Sequence, residues 1–216
     1  MRKKIKMHLI VTNWPPVLLL FGLPCFLSAY LPSQSDGFPM KPIVQPELAE
    51  FNGTLYASCK MKPNTRLAED QPKVYGRVLF RQGRVDRPLE VMFKLKGFPD
   101  AKQMRAIHVH QFGDLSEGCD STGGHYNPDK VNHPKHPGDF GNFMPRGGRI
   151  RERTTSDVTL FGPLSVLGRS VVLHAGEDDL GQGGDAGSLL HGNAGHRLAC
   201  CIIGIGSRNL WDNVSQ

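Results

Sequence analysis

The chain has 216 residues, with 26 lysine or arginine residues against 20 aspartate or glutamate residues and a formal net charge of +6. A chain of this length suits one large β domain with terminal tails. Four basic residues lie within the first six, so a mature chain beginning at Asp36 keeps 22 basic residues against 20 acidic ones. This near balance gives no basic excess for nucleic acid, and we predict no nucleic-acid partner.

The N-terminus has the organisation of a secretory signal peptide. The basic "MRKKIK" precedes an apolar stretch from Val17 to Leu31, and polar residues follow. A retained signal anchor is the alternative, but the stretch is short for a membrane span and Pro24 interrupts it. We therefore predict a signal peptide over residues 1–30, no membrane span, an N-terminal extension over 31–52, and secretion into the extracellular space.

The cysteines predict two disulfides in the secreted chain. Cys25 leaves with the signal, and an even number remains for an oxidising compartment: Cys59, Cys119, Cys200 and Cys201. Neighbouring residues on a strand point to opposite faces, so the two adjacent cysteines are poorly placed to pair with each other. Each is expected to reach a different partner. The sequons "NGT" at Asn52 and "NVS" at Asn213 are candidate glycosylation sites.

The segments after residue 52 are predominantly strand-like. In "LEVMFKLKGF" apolar residues alternate with polar residues and a methionine, as on a half-buried antiparallel strand. Similar runs are "KVYGRVLF", "RAIHVHQF", "SDVTLFG", "GRSVVLHAG" and "RLACCIIGIG". We find no sustained helical period beyond the signal, so the pattern predicts an all-β fold, an antiparallel sandwich or barrel. The arginine-rich "PRGGRIRER" within this region is interpreted as a solvated hairpin.

Two long glycine- and histidine-rich loops, residues 113–143 and 174–197, interrupt the strands. The first contains "HYNPDKVNHPKHPGD", which offers three imidazoles and a carboxylate: His125, His133, His136 and Asp139. Three nitrogens and one oxygen form a tetrahedral set that suits zinc better than calcium or magnesium. A polar loop rich in histidine by chance is the less favoured interpretation because the spacing is compact.

A second histidine group is predicted around "AIHVHQF". On a strand, His108 and His110 point to one face while Ile107 and Val109 pack on the other. Together with His174, at the end of another strand, they form an all-imidazole site of the kind that suits copper. A blue-copper site would require a cysteine ligand, which this arrangement does not provide.

The stretches "HVHQFGD", "GCDSTGGHYNP", "HPGDFGN", "HAGEDDLGQGG" and "GNAGHRLACC" resemble the copper/zinc superoxide dismutase family, and Cys59 with the Cys200-Cys201 doublet resembles its extracellular branch. The resemblance covers residues 53–211 and leaves 212–216 as a short tail. It implies an antiparallel Greek-key β-sandwich or barrel with a metal-binding loop and an electrostatic loop. It also implies a homodimer or homotetramer.

The resemblance further implies one copper and one zinc per subunit. Copper would be held by His108, His110, His125 and His174, and zinc by His125, His133, His136 and Asp139. The shared His125 would also act as a proton carrier, Asp178 would orient a ligand of each metal, and Arg197 would guide superoxide to copper. The implied disulfides are Cys119–Cys200 and Cys59–Cys201.

The activity implied is conversion of superoxide to dioxygen and hydrogen peroxide, with copper alternately reduced and reoxidised and zinc structural. A non-catalytic copper-binding domain of the same fold is one rival, but such domains tend to lose ligands or the arginine. A zinc hydrolase is another, and it has no use for the all-histidine site.

Three features depart from the family pattern. The chain ends "LWDNVSQ" without the basic run common in the extracellular branch, which argues against heparan sulfate binding. His191 and His196 stand where histidine is not expected, and we interpret them as exposed polar residues. Gly124 replaces the usual proline before His125, which would loosen the loop slightly.

Overall fold

A computed structural model describes residues 53–100 and 102–215, so the predicted signal peptide, the extension over 31–52 and Asn52 lie outside the described residues. The nine strands are β1 (Leu55–Pro63), β2 (Tyr75–Gln82), β3 (Leu89–Lys96), β4 (Arg105–His110), β5 (Asp139–Phe143), β6 (Arg149–Ser156), β7 (Ser170–His174), β8 (Arg197–Ile202) and β9 (Gly204–Ile205). The helices are α1 (Ala186–His191) and α2 (Arg208–Ser215), together with one 3-10 turn at Asp120–Thr122.

The strands form a nearly closed antiparallel barrel. Eight follow the order β5-β4-β7-β8-β1-β2-β3-β6, and β9 pairs with β1. Strands that are distant in the chain, such as β1 and β8, lie side by side, as Greek-key connections require. The all-β prediction is therefore confirmed.

Every second side chain of the strands points into the barrel, and these apolar side chains form its core. In β3, Leu89, Val91, Phe93 and Leu95 are fully or almost fully buried and belong to the core, as their period of two predicts. Burial of such side chains stabilises a fold by about 1.5–3 kcal/mol each. The same alternation in β4 directs Ile107 and Val109 into this core.

Two short helices were not predicted. Helix α1 lies in the second long loop, where Asp185 caps its N-terminus by accepting a hydrogen bond from the Ser188 N–H at 2.8 Å. Helix α2 includes residues 212–215 of the predicted tail, and its Trp211 is buried against Leu79 and Met92 on the outer surface of the barrel. No helix within the described ranges is long and apolar enough to cross a membrane.

Candidate metal centre

Strand β4 presents His108 and His110 on the face opposite the barrel core. Both are at most 1 % exposed, since the two long loops cover this side of the strand. The first loop returns to the strand at Tyr126, whose N–H donates to the Val109 carbonyl at 2.9 Å, and this places His125 beside His110. His174 ends β7, the strand that pairs with β4 on its other side.

Four of these imidazoles form one compact group. One ring nitrogen from each lies within 4.8 Å of the others, in a group made of His108, His110, His125 and His174. A second group meets the same limit and is made of His125, His133, His136 and Asp139. His125 belongs to both groups, so the structure brings together all seven residues predicted as ligands and places the two groups side by side.

In three of the histidines, the ring nitrogen that points away from the ligand group lies near a backbone carbonyl. His110 Nδ1 lies 2.9 Å from the Gly123 carbonyl, and His174 Nδ1 lies 3.2 Å from the Gly195 carbonyl. In the second group, His136 Nε2 lies 3.1 Å from the Val131 carbonyl. A carbonyl only accepts hydrogen bonds, so each of these nitrogens carries the proton and the other nitrogen of the ring keeps its lone pair for the group.

Asp178 joins the two groups from behind. Its Oδ2 lies 2.8 Å from His108 Nε2, and its Oδ1 lies 2.7 Å from His133 Nε2. The carboxylate is held in turn by the Leu180 N–H at 2.7 Å, and Asn142 bonds both the N–H and the carbonyl of Asp178. Burial opposes its charged form, but the two imidazoles outweigh burial and hold the pKa of Asp178 well below its ordinary value.

Among the predicted ligands, which all lie in the described part of the chain, three buried ring nitrogens have no hydrogen-bond partner: His108 Nδ1, His125 Nε2 and His133 Nδ1. Buried polar atoms in proteins are almost always partnered, so an unpartnered set of ligand atoms marks a position for another group. Asp139 Oδ2 lies 2.8 Å from His133 Nδ1 without hydrogen-bond geometry, as expected of two ligands that face one ion. The residues therefore fit two metal ions with His125 between them.

The charge states of the imidazoles differ between the two groups. Burial lowers the pKa of His110 and of His174 well below the ordinary value, and nearby imidazoles lower it further. Burial also lowers the pKa of His125 to about 4, although Asp139 opposes this shift. These rings are neutral at pH 7, which is the state that binds metal.

His133 behaves differently from the other ligands. Burial opposes its charged form, but the carboxylates of Asp139 and Asp178 outweigh burial and raise the pKa of His133 to about 9. Without metal, a proton therefore supplies the positive charge that the two carboxylates require. A cation in the second group would take over that role.

Arg197 lies beside the first histidine group. A cavity of about 590 Å³ is lined by His110, His125 and His174 together with Arg197. Arg197 Nη1 donates to the Cys119 carbonyl and to Thr122 Oγ1, both at 2.9 Å, so the first long loop fixes the position of the guanidinium. Cationic charge is thereby held at the entrance to the first histidine group.

One disulfide connects the first long loop to the barrel, and a second joins two strands of the barrel. Cys119 of the first loop is bonded to Cys200 on β8, the strand that begins with Arg197. Cys59 on β1 is bonded to Cys201, the next residue of β8. The adjacent cysteines thus reach different partners, as their opposite directions on the strand require.

Several residues that support the site were not predicted from the sequence. Asn64 donates through Nδ2 to the Arg197 carbonyl at 3.0 Å and accepts from the Cys119 N–H at 3.0 Å. Gly192 has a φ of 65°, and a Cβ there would lie 2.0 Å from Asp178 Oδ1, so only glycine fits beside the carboxylate. No local sequence pattern distinguishes these residues, because their partners are distant in the chain.

The remaining predicted residues lie at the periphery. His191 and His196 are both exposed. His191 lines the cavity, and the His196 carbonyl accepts a hydrogen bond from the Ala175 N–H. Gly124 also lines the cavity, and a Cβ added there would meet no atom within 4 Å. Asn213 is exposed on α2.

The chain is similar to known proteins over this region. Residues 74–203 match the family model described as copper/zinc superoxide dismutase (SODC). The chain is 55 % identical to the extracellular superoxide dismutase (Cu-Zn) of Mus musculus over 162 residues, which cover 74 % of this chain and 64 % of the relative. It is 54 % identical to that of Homo sapiens over 168 residues, which cover 76 % of this chain and 70 % of the relative.

A superoxide dismutase (Cu-Zn) of Kluyveromyces lactis is 45 % identical over 140 residues, which cover 61 % of this chain and 90 % of that protein. The chain therefore spans about two thirds of the length of the extracellular relatives and nearly all of the Kluyveromyces lactis protein.

Proposed function

The chain belongs to the copper/zinc superoxide dismutase family, and from that premise we propose that it is a secreted enzyme that converts superoxide to dioxygen and hydrogen peroxide. One observation carries the proposal: the two ligand groups share His125, and the group nearer the cavity is the all-histidine one. A zinc hydrolase has no use for the all-histidine group, whereas that group suits a redox-active copper ion.

We propose that His108, His110, His125 and His174 would hold copper, and that His125, His133, His136 and Asp139 would hold zinc. Bound copper would supply the one-electron redox change between two superoxide ions, while zinc has no redox chemistry and would hold the loop. The unpartnered Nδ1 of His108 would be its ligand atom in the first set, since its Nε2 faces Asp178.

His125 is proposed to bind through both nitrogens. Its Nδ1 lies 2.9 Å from Asp139 Oδ1 and therefore faces the zinc set, while the unpartnered Nε2 faces the copper set. An imidazole that bridges two cations has lost both ring protons. When Nε2 is free it can carry one of the two protons that hydrogen peroxide requires.

Arg197 is proposed to attract and hold the superoxide anion. Its guanidinium stays charged at any working pH and lines the cavity beside His110 and His174. Every hydrogen bond that its side chain makes within the described part of the chain uses Nη1, so Nη2 is left for an anion. Asp178 is proposed as a positioning residue that fixes one ring of each ligand set.

The assembly is proposed to be a homo-oligomer, a dimer or a tetramer. Phe112 is 50 % exposed and Ile202 is 44 % exposed. Between them lies Gly113, where an added Cβ would lie 2.1 Å from the Gly168 carbonyl oxygen and 3.2 Å from Ile202 Cγ2. Apolar side chains exposed close together on a surface favour burial against another chain. A second copy of this chain would cover them.

Processing is proposed to follow the secreted relatives. Removal of residues 1–30 and glycans on Asn52 and Asn213 fit an extracellular protein, and Asn213 is accessible on α2. N-terminal sequencing of the secreted protein would locate the cleavage. Mass measurement before and after glycosidase treatment would report each glycan. A mass of Asn213→Gln that differs from wild type only by the added methylene group would exclude a glycan on Asn213.

The decisive experiment combines metal analysis with direct measurement of superoxide decay. We expect one copper and one zinc per chain, and decay that the metal-free protein does not accelerate. Zinc alone in the purified active preparation, or full metal content without accelerated decay, would overturn the proposed function. The second outcome would favour a copper-binding protein without catalysis.

A further inference from the structure

Asn64 joins three segments of the chain beside Arg197. It follows the last residue of β1 and is buried, with 8 % of its surface exposed. Its Nδ2 donates to the Arg197 carbonyl at 3.0 Å, and its Oδ1 accepts from the Cys119 N–H at 3.0 Å. Its own N–H donates to the Leu198 carbonyl at 2.9 Å. One residue therefore links the end of β1 to the start of β8 and to the first long loop.

The guanidinium of Arg197 is held by the same loop that Asn64 holds. Its Nη1 donates to the Cys119 carbonyl and to Thr122 Oγ1, both at 2.9 Å, and to the Asp120 carbonyl at 3.3 Å. Thr122 Oγ1 donates in turn to the Cys119 carbonyl at 2.8 Å. Cys119 thus has its N–H on Asn64 and its carbonyl on the guanidinium, so a displacement of Cys119 would move the charged group.

The amide group of Asn64 suits both partners. The Arg197 carbonyl only accepts hydrogen bonds and the Cys119 N–H only donates, so the position requires a donor and an acceptor in one short side chain. A second N–H, from Arg66, also donates to Asn64 Oδ1, at 3.2 Å. The amide oxygen is therefore fixed toward the loop and the amide nitrogen toward β8.

The first long loop packs tightly against Asn64. A Cβ on Gly118 would lie 2.2 Å from Asn64 Oδ1 and 2.6 Å from Thr65 Oγ1. The Cys119–Cys200 disulfide also ties this loop to β8, but it acts through the side chain of Cys119. Asn64 instead holds the Cys119 backbone, which is the part that contacts Arg197.

We propose that Asn64 is a positioning residue for the guanidinium of Arg197. It fixes the backbone of Arg197 at one end and the loop that receives Nη1 at the other. Asn64 carries no charge and is not among the residues that line the cavity beside Arg197, so its effect on an anion would pass through Arg197. The inference rests on the proposed role of Arg197 in holding superoxide.

The test is titration of the purified, metal-loaded protein with azide, a linear monovalent anion, followed by the visible absorption of copper. Asn64→Ala removes both side-chain partners. Gln82→Ala is the matched control, because Gln82 is 2 % exposed and its amide also joins distant segments. It donates to the Arg87 carbonyl and accepts from the Leu160 N–H, both at 2.8 Å, and it is in register with Leu55 at the opposite end of β1.

We expect Asn64→Ala to bind azide about three- to tenfold more weakly, the effect of one or two lost hydrogen bonds. Superoxide decay at low salt should slow by a similar factor, while the copper spectrum without azide stays as in wild type. Gln82→Ala should bind azide as wild type does, even where its melting temperature falls. Equal azide affinity in Asn64→Ala and wild type, or an equal loss in Gln82→Ala, would overturn the proposal.

A double-mutant cycle tests whether the effect passes through Arg197. We expect Asn64→Ala to change azide affinity by less than about twofold when it is combined with Arg197→Ala. Additive losses would show that Asn64 acts by another route and would overturn the proposal. Azide binding does not require turnover, so a wild-type protein that binds copper and azide without accelerating superoxide decay would refute the proposed function alone.

An isosteric variant keeps the test informative if Asn64→Ala does not fold. Asn64→Asp retains the shape and the acceptor for the Cys119 N–H, but an oxygen replaces the donor to the Arg197 carbonyl. Thr65→Asp places the same charge on the next residue, which is exposed. We expect weaker azide binding in Asn64→Asp than in Thr65→Asp, and equal affinities in these two variants would overturn the proposal.

Discussion

The carboxylate of Asp178 lies 2.8 Å from Nε2 of His108, a residue 70 positions earlier in the chain. Its other oxygen contacts His133, so one side chain fixes a ring of each ligand set. Asp178→Asn keeps the shape but replaces one acceptor oxygen by a donor NH2 group. We expect metal affinity to fall by about 10–100-fold for both ions, measured by competition with chelators. Glu177→Gln is the control, and equal affinities in the two variants would contradict the orienting role.

Arg197→Ala is expected to slow superoxide decay at low salt by at least about tenfold and to reduce its dependence on ionic strength, because a fixed cation beside the cavity is lost. Arg197→Lys keeps the charge without the fork and is expected to recover part of the rate. Pulse radiolysis on variants with equal copper content provides the measurement. A salt dependence equal to wild type in Arg197→Ala would exclude guidance by this residue.

Zinc binding is expected to strengthen from pH 6.5 to 9. The pKa of His133 is 6.5 in the unfolded chain and about 9 in the metal-free fold. Protonated His133 therefore stabilises the metal-free fold fully below pH 6.5, and this stabilisation is lost as pH rises through about 9. The pKa values of His110 and His174 are lowered in the fold, so these two histidines change the pH dependence of stability only below pH 6.5. Zinc must displace the proton on His133, so the gain in melting temperature on adding zinc increases over this range.

Differential scanning calorimetry at several pH values would check this expectation. His133→Asn removes the group whose pKa is raised and serves as the comparison. A zinc-induced gain that is equal at pH 6.5 and pH 9 in wild type would contradict it.

The two disulfides are expected to have separable effects. Cys59→Ser/Cys201→Ser opens a loop with a sequence separation of 142 and is expected to lower the free energy of unfolding by about 2–5 kcal/mol. Cys119→Ser/Cys200→Ser also frees the loop whose Cys119 carbonyl accepts from Arg197. Only this second variant should lose dismutase rate per bound copper at a temperature where both are folded. Equal rates per bound copper in the two variants would show that the loop keeps its position without the Cys119–Cys200 disulfide.

Oligomerisation is expected to depend on the exposed apolar residues near Gly113. Phe112→Asp/Ile202→Asp places charges in that contact and should reduce the mass measured by light scattering to that of one chain. Val85→Asp changes a side chain that is 70 % exposed in the β2–β3 loop, and it should leave the mass unchanged. Assembly that survives the double substitution would place the interface elsewhere.

Residue types and local periods determined much of this protein. The period of two in β3 and β4 gave the direction of the core residues and of His108 and His110, because side-chain direction on a strand is a local property. The compact loop spacing indicated a zinc set of three histidines and Asp139 in the same way. The assignment of the shared His125 came from the family resemblance and not from periodicity.

The tertiary structure alone decided what depends on distant pairing. It placed Asp178 between His108 and His133, brought Asn64 to Cys119 and Arg197, and packed α2, too short for a clear helical period, over Leu79 and Met92. Strand register also aligned Lys60, Arg77, Lys94 and Arg151 in one row, which no local window reveals. Register depends on hydrogen bonds between strands far apart in the chain, so a sequence read locally fixes which way each side chain points but not which neighbour it meets.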